Sequence, residues 1–227
     1  MPAEVTGRAG PGAFITFEGG EGGGKSTQVQ RLVAALRARG LETVATREPG
    51  GSPNAEALRD VLLAGLVAPL GPAAEALIFS AARIDHIDNL IRPALQRGAF
   101  VVCDRFADST RAYQGALGKL SETFIDGLEK VTIGDVRPDL TFVLDLPAEE
   151  GMARAGARRG QAAADRFEAE TIEFHRALRD SFRAIAAAHP ERCVLVDATQ
   201  GIDEVAADIW AAVCRRFPAI AAVSVPT

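Results

Sequence analysis

Three cysteines, Cys103, Cys193 and Cys214, lie far apart in 227 residues and form no CxxC pair. An odd, unclustered set argues against a disulfide framework or a zinc site and suggests a reducing cytosol. No apolar stretch approaches the ~20 residues of a membrane span. Residues 1–12, MPAEVTGRAGPG, lack the continuous apolar core of a signal peptide. They are rich in Gly and Pro without apolar periodicity, and are expected to form a disordered extension. Positive charge is also in deficit, 25 Lys and Arg against 30 Asp and Glu, net −5. That balance argues against general nucleic-acid affinity and leaves room for a local basic pocket. His86, His175 and His189 are too scattered in sequence to form a visible metal set, so surface or core packing is expected of them.

What is present is a pattern of buried strands. Ala13–Phe17, Glu42–Thr46, Ala99–Cys103, Leu140–Leu146 and Arg192–Asp197 are short runs rich in Val, Ile, Phe or Leu. Several show no polar alternation, as in strands of a parallel sheet covered on both faces. Helix-compatible stretches separate them. Lys25–Arg39 carries Val29, Leu32, Val33 and Leu36 at helical spacing, with Gly40 as a stop. Ala73–Gln96 carries a stripe of Leu77, Ile78, Ala81, Ile84 and Ile87, with Pro93 expected to kink or end it. Ala163–Ala188 and Ile202–Arg216 follow, the last with Trp210 on its apolar face. Such alternation predicts an α/β sandwich with right-handed crossovers. We expect one domain over 13–216 and a tail over 217–227. Ligands in such sheets bind beyond the carboxyl ends of the strands, which directs attention to Glu18–Ser26, Arg47–Ser52, Asp104–Arg105 and Asp145–Leu146.

The strongest signal is Gly19-Gly20-Glu21-Gly22-Gly23-Gly24-Lys25-Ser26, which fits G-x-x-x-x-G-K-[ST] between a strand-like and a helix-like run. In this motif, a P-loop, glycines turn backbone N–H groups inward to cradle phosphates. The helix N-terminus adds positive potential, the lysine bridges β- and γ-phosphates, and the hydroxyl ligates Mg²⁺. Gly20, Glu21, Gly22, Gly23, Gly24, Lys25, Ser26 and Thr27 are therefore the expected ATP-binding set. Asp104 closes an apolar strand, as either a metal partner alongside Ser26 or an ordinary strand-end cap. GTPase switches, motor ATPases and small-metabolite kinases all share these features.

Three further stretches narrow the choice: TREPGGSP (Thr46–Pro53), DRFADSTRAYQG (Asp104–Gly115) and the arginine-rich run Arg154–Glu168. With the P-loop, they resemble thymidylate kinase from about Phe14 to Trp210. DRFE (Asp165–Glu168) and VDATQ (Val196–Gln200) resemble the bacterial branch of that family. The resemblance implies a nucleoside-monophosphate-kinase fold with a five-stranded parallel sheet, a mobile lid at about 151–167, and a homodimer formed by packed helices. It implies a cytoplasmic enzyme that phosphorylates dTMP to dTDP with ATP and Mg²⁺, toward dTTP synthesis.

On that resemblance, Phe79 would stack on thymine and Arg83 would hydrogen-bond a ring carbonyl. Thr110 would make a polar contact to the base, with Ser109 in support. Tyr113, the only tyrosine, would stand near the sugar 2′ carbon, and a structural role is the rival. Arg105 would clamp the acceptor phosphate with its planar fork. Arg47, Glu48 and Pro49-Gly50-Gly51 would edge the acceptor and metal site. Glu21 is an acid inside an anion cradle; because backbone groups do the cradling, its side chain is free to point elsewhere, and the resemblance implies that it binds the 3′-hydroxyl of the acceptor's sugar.

The acceptor is a monoester with a second pKa of ~6, so it needs positioning and positive charge rather than a general base. The resemblance implies that the lid supplies a catalytic arginine, Arg158 or Arg159, beside Lys25 and Arg105. It places Arg154 and Arg166 toward ATP, with Glu168 as another partner for Arg166. Gly151, Gly156 and Gly160 suit a flexible lid, and Gln161-Ala162-Ala163-Ala164 is blander than the family's usual glutamate-containing lid. A kinase for another acceptor, such as a deoxynucleoside kinase, would need a base from Glu18, Glu48 or Asp104. A nucleotide-gated switch would need no second pocket.

Overall fold

The computed structural model describes residues 12–160 and 166–221. The remaining residues of the expected extension, Gln161–Asp165 of the expected lid, and 222–227 of the expected tail lie outside the described residues. Five parallel strands, β1 (Phe14–Gly19), β2 (Thr43–Arg47), β3 (Phe100–Asp104), β4 (Leu140–Asp145) and β5 (Cys193–Asp197), form one sheet in the order β2-β3-β1-β4-β5. Each begins or ends within about two residues of the apolar run that predicted it, the normal uncertainty of element ends.

Helices cover both faces. They are α1 (Lys25–Arg37), α2 (Pro53–Leu63), α3 (Pro72–His86), α4 (Arg92–Gln96), α5 (Ala107–Thr110), α6 (Glu122–Thr132), α7 (Ala148–Arg159), α8 (Ile172–Ala188), α9 (Ile202–Arg216) and α10 (Pro218–Ala221). On one face, Val29, Leu32, Val33 and Leu36 of α1 and Val205, Ile209 and Val213 of α9 bury Ile15, Phe17 and Phe142. On the other, Ile91 and Leu95 pack on Phe14 and Val101, while Leu178 and Phe182 of α8 pack on Val143. Phe217 and Ile220, at the start of the expected tail, join the first cluster. Trp210 packs there as well, under the Arg39 guanidinium at 4.1 Å.

The interruption expected from Pro93 is present: α3 ends at His86, and a wider turn spans Ile87–Ile91 before α4. Pro93 has no N–H for the carbonyl four residues back, and loosening the preceding turn accommodates it. One correction concerns α3: the expected apolar stripe is largely not the buried one. Leu77, Ala81 and Ile84 are exposed, whereas Ala76, Ser80, Arg83 and His86 are buried. This face of the helix serves a polar site, so burial follows chemistry there rather than hydropathy.

Helices α2 and α6 were not apparent from the apolar pattern. Asp85 of α3 organises the start of α2 by accepting from Ser52 Oγ (2.5 Å) and the Ala55 N–H (3.3 Å). Ser121 caps α6 by accepting from the Phe124 N–H at 3.2 Å. The chain leaves β1 toward β2 and β3 on one side and reaches β4 on the other. The crevice for a ligand therefore opens at the carboxyl end of β1.

Phe142 is fully buried on central β4, 5.2 Å from the Phe17 ring. Phe142→Ala is expected to cost about 3–5 kcal/mol in urea unfolding, with little change in the denaturant slope. A much smaller loss would contradict this assignment of the core.

Candidate active site

A cavity of about 400 Å³ lies where the carboxyl ends of β1, β2 and β3 meet. Its wall includes Glu21–Thr27, Glu48, Phe79, Arg83, Asp104, Arg105, Ser109, Thr110, Tyr113 and Arg158. Nearly all of the site residues expected from the sequence therefore converge. The glycine loop is shaped by close approach as well as by φ: a Cβ on Gly22 (φ 68°) would stand 2.0 Å from the Gly151 carbonyl oxygen of α7. Gly151 and Gly156 lie inside that helix, and a Cβ on Gly151 would meet the Glu21 carbonyl oxygen at 2.4 Å. Gly151 thus lets the helix pack against the loop, whatever freedom it lends.

Lys25 opens α1 and donates from Nζ to the carbonyls of Gly19 (3.2 Å) and Gly20 (2.7 Å). Burial and then Arg105 lower its pKa, against the opposing pull of Glu21, Asp104 and Glu18. Ser26 Oγ donates to Asp104 Oδ2 at 2.6 Å. A hydroxyl and a carboxylate are the hard oxygens that suit Mg²⁺. Among the described residues no group of three His, Cys, Asp or Glu could hold a metal. Phosphate oxygens and water would have to complete the shell of a metal here.

Arg105 takes φ 70°, a left-handed conformation uncommon for a side-chain-bearing residue. It thereby reaches back over β1, donating through Nη1 to the Gly19 carbonyl (3.1 Å) and Ser109 Oγ (3.3 Å), and through Nη2 to Glu21 Oε1 (2.6 Å). Tyr113 donates its hydroxyl to the same Glu21 oxygen at 3.2 Å. Burial alone would raise the Glu21 pKa, but Arg105, Lys25 and the Tyr113 hydrogen bond outweigh it, and the value falls to about 2. The acid in the cradle is held ionised by a fixed positive partner.

Glu18 is fully buried at the end of β1, accepting from the Phe106 N–H (2.8 Å) and bonded to Ser109 Oγ (2.6 Å). It anchors the segment that carries Arg105, Ser109 and Thr110. Burial, reinforced by Asp108, raises its pKa to about 8, despite the lowering effects of Ser109, Arg105 and the Phe106 N–H. Glu48 accepts from Arg83 Nε (2.6 Å) and His86 Nδ1 (3.0 Å). Arg83 also donates through Nη2 to the Phe106 carbonyl (3.1 Å) and Thr110 Oγ1 (3.2 Å). Phe79 faces Phe167 at 6.1 Å between ring centres, and Tyr113 meets the same Phe167 edge-on at 5.3 Å.

The arginines after 150 divide. Arg158 lines the cavity and pairs with Glu168 at 3.2 Å, and Arg159 pairs with the other oxygen of Glu168 at 2.8 Å. Arg154 donates to the Ala198 carbonyl (3.2 Å) and pairs with Glu150. Arg166 pairs with buried Glu75 at 2.9 Å and with Glu170 at 3.8 Å, and its guanidinium lies 4.6 Å from the Phe167 ring centre. Glu75 in turn accepts from Gln114 (3.3 Å) on the wall of the cavity. Asp145, at a strand end flagged by its position, pairs instead with Arg179 and Arg183 of α8.

Sequence reasoning missed Phe167, Gln114 and Arg59 in the cavity wall. Arg59 comes from the unrecognised α2 and donates to the Pro49 carbonyl at 2.7 Å. Gln114 lies inside DRFADSTRAYQG and was within reach of the same motif. His86, expected to pack, is instead a hydrogen-bonded member of this buried network.

Glu18 supplies a pH prediction. The folded state keeps a proton up to about 8, whereas the unfolded chain releases it near the ordinary value of 4.5. This contribution to stability is present at low pH and is lost as pH rises through that window. Urea unfolding of Glu18→Gln is expected to show a flatter decline across it than the parent, because the amide can bond Phe106 and Ser109 without ionising. Identical pH slopes would contradict the burial argument.

Comparison with known proteins agrees with this geometry. The family model "Thymidylate kinase" matches residues 17–209. A thymidylate kinase of Rhodopseudomonas palustris strain CGA009 is 60% identical over 207 residues, covering 91% of this chain and 90% of that protein. One from Bradyrhizobium strain BTAi1 is 56% identical over 225 residues, covering 98% of this chain and all of that protein. The crystal structure of thymidylate kinase from Ehrlichia chaffeensis superposes with a TM-score of 0.72 at 32% identity, covering 89% of this chain and all of the other. The P-loop, the acceptor-side arginines and these likenesses lead to one conclusion: the chain belongs to the thymidylate kinase family.

Proposed function

We infer that the protein transfers the γ-phosphoryl group of ATP to dTMP, giving dTDP and ADP. The observation that carries this reading is the single cavity joining the P-loop to a second wall of Phe79, Arg83, Arg105 and Tyr113, in a chain whose relatives are thymidylate kinases. A nucleotide-gated switch has no use for that second wall. A kinase acting on a sugar hydroxyl needs an available carboxylate base. Glu18 is bonded to Phe106 and Ser109, Glu48 to Arg83 and His86, and Asp104 to Ser26. A phosphate acceptor, largely dianionic at neutral pH, requires none of them as a base.

In the proposed arrangement, Gly20, Gly22, Gly23 and Gly24 present backbone N–H groups to ATP, and Lys25 exchanges its Gly19 and Gly20 carbonyl bonds for phosphate oxygens. Thr27, beside Ser26 on the cavity wall, supports that phosphate end. Ser26 and Asp104 would hold Mg²⁺, which would supply positive charge against the phosphates. Arg105 binds the acceptor phosphate, and Glu21, held by Arg105 and Tyr113, accepts from the sugar 3′-hydroxyl. Tyr113 stands against the sugar. Phe79 stacks on the base, while Arg83 and Thr110 mark its edge, with Ser109 in support. Two polyanions are brought in line by fixed positive groups in a shielded site, where charges act strongly.

Arg158 is the favoured lid arginine because it stands on the cavity wall with Glu168. Arg159 shares that glutamate and is the second candidate. Arg154 is proposed to act toward ATP through its place beside the Ala198 carbonyl. The bonds of Arg166 to Glu75 and Glu170 favour bracing of the acceptor wall over adenine binding. Exposed Leu77 and Ile84 on α3, with Phe124 and Val131 on α6, form apolar pairs seven residues apart on helices that contact each other. They are the proposed faces of a homodimer. Among the described residues no helix is long and apolar enough to cross a membrane. The cytoplasm is the proposed location, on the three unpaired thiols.

A coupled ADP-release assay against dTMP, dUMP, AMP, CMP, GMP and thymidine tests the function, with dTMP expected to be strongly preferred. Preferred turnover of thymidine would overturn the reading. Arg158→Ala is expected to lower kcat by about 10³-fold while leaving the dTMP KM nearly unchanged, and a near-normal kcat would remove it from the mechanism. Phe79→Ala is expected to raise the dTMP KM about tenfold with ATP binding kept; an unchanged KM would remove the stacking role.

A further inference from the structure

His86 has no place in the mechanism above, yet it is fully buried beside the acceptor wall. Its Nδ1 stands 3.0 Å from Glu48 Oε1 and its Nε2 stands 2.7 Å from Thr46 Oγ1. A carboxylate only accepts, so the proton on Nδ1 is donated to Glu48, and in the neutral imidazole Nε2 then accepts from the Thr46 hydroxyl. The other Glu48 oxygen accepts from Arg83 Nε at 2.6 Å. Thr46 through His86 on one side and Arg83 on the other therefore converge on Glu48, which links the end of β2 to the base wall.

This linkage fixes which edge of Arg83 remains available. Nε is engaged by Glu48, and Nη2 by the Phe106 carbonyl and Thr110 Oγ1. Among the described residues no hydrogen bond uses Nη1, and Arg83 lines the cavity. The guanidinium is thus held on two sides, with Nη1 left to donate. Gly51 shows how tightly the imidazole is enclosed: a Cβ there would meet His86 Nε2 at 2.4 Å and Thr46 Oγ1 at 2.5 Å.

We propose that His86 is a positioning residue for acceptor specificity: through Glu48 it locks Arg83 so that Nη1 presents N–H donors to a carbonyl on the base. The proposal rests on the reading of Arg83 as a base contact. A base with a carbonyl at the recognised ring position satisfies those donors, whereas one with an amino group there sets donor against donor. Without the imidazole, Glu48 keeps Arg83 but loses its own second anchor, and the pair can turn together. Discrimination then falls even if the fold is kept.

The test is the ratio of kcat/KM for dUMP to that for dCMP, since these bases differ in carbonyl against amino. Loss of folded protein scales both values equally and leaves the ratio unmoved. In His86→Leu the ratio is expected to fall about tenfold, with the ATP KM unchanged. His86→Asn, which can set an N–H where Nδ1 stands, is expected to restore most of it. Thr46→Val keeps the shape and removes the hydroxyl, and is expected to lower the ratio about threefold; it decides the matter if the leucine variant does not fold. Arg83→Gln is the reference that should abolish discrimination. If Arg83→Gln abolishes it while His86→Leu, or Thr46→Val in its place, leaves the ratio at the parent value, the positioning role is overturned and the base contact stands. If Arg83→Gln leaves the ratio intact, the base contact fails and the positioning role fails with it.

Discussion

Arg105 reaching back across β1 to Glu21 is the contact on which the rest of the site depends. The pairing of Phe17 with Asp104 in adjacent parallel strands brings the phosphate loop and the acceptor-side segment side by side. One guanidinium then joins them, gripping the Gly19 carbonyl and the Glu21 carboxylate. Arginine suits this because its planar fork directs several donors from one rigid group, whereas a lysine would supply a single ammonium point. The left-handed backbone of Arg105 is the local strain that makes the reach possible, and Glu18 holds the following residues in register by bonding Phe106 and Ser109.

That contact also resolves how an acidic protein handles two anions. Its net charge is −5, but the cavity concentrates Lys25, Arg83, Arg105 and Arg158. Three of the acids among them are already matched, Glu21 by Arg105, Glu48 by Arg83, and Glu168 by Arg158 and Arg159, while Asp104 accepts from Ser26. Matching keeps each positive group placed without an uncompensated buried charge. Phosphate oxygens can then replace some of these carboxylates or backbone carbonyls as partners, so binding exchanges one set of charge-assisted bonds for another.

Much of this was legible in the sequence. The interior strands β1, β3 and β4 were visible because parallel strands buried on both faces leave unbroken apolar runs, as in Val101-Val102-Cys103, and the partly exposed edge strands β2 and β5 through shorter β-branched runs. The phosphate loop and DRFADSTRAYQG were legible because glycine geometry and clustered polar residues are local signals. What escaped was set by distant partners. The apolar residues Leu77 and Ile84 were read as inward-facing, yet they lie outside, because α3 turns Arg83 and His86 toward the site. Helix α2 depends on Asp85, thirty residues ahead, to organise its start, and no window of its own sequence shows that. The destinations of Arg158, Arg159 and Arg166 depend on Glu168 and Glu75, a choice among many acids that spacing alone could not make.

The central claim is that a braced Arg105 recognises the charge of the acceptor's phosphate. Calorimetric titration of the parent and Arg105→Gln with dTMP and with thymidine tests it most directly. The account predicts that the variant binds thymidine about as the parent does, while the advantage of dTMP over thymidine shrinks by at least about tenfold. An undiminished advantage for dTMP would contradict it.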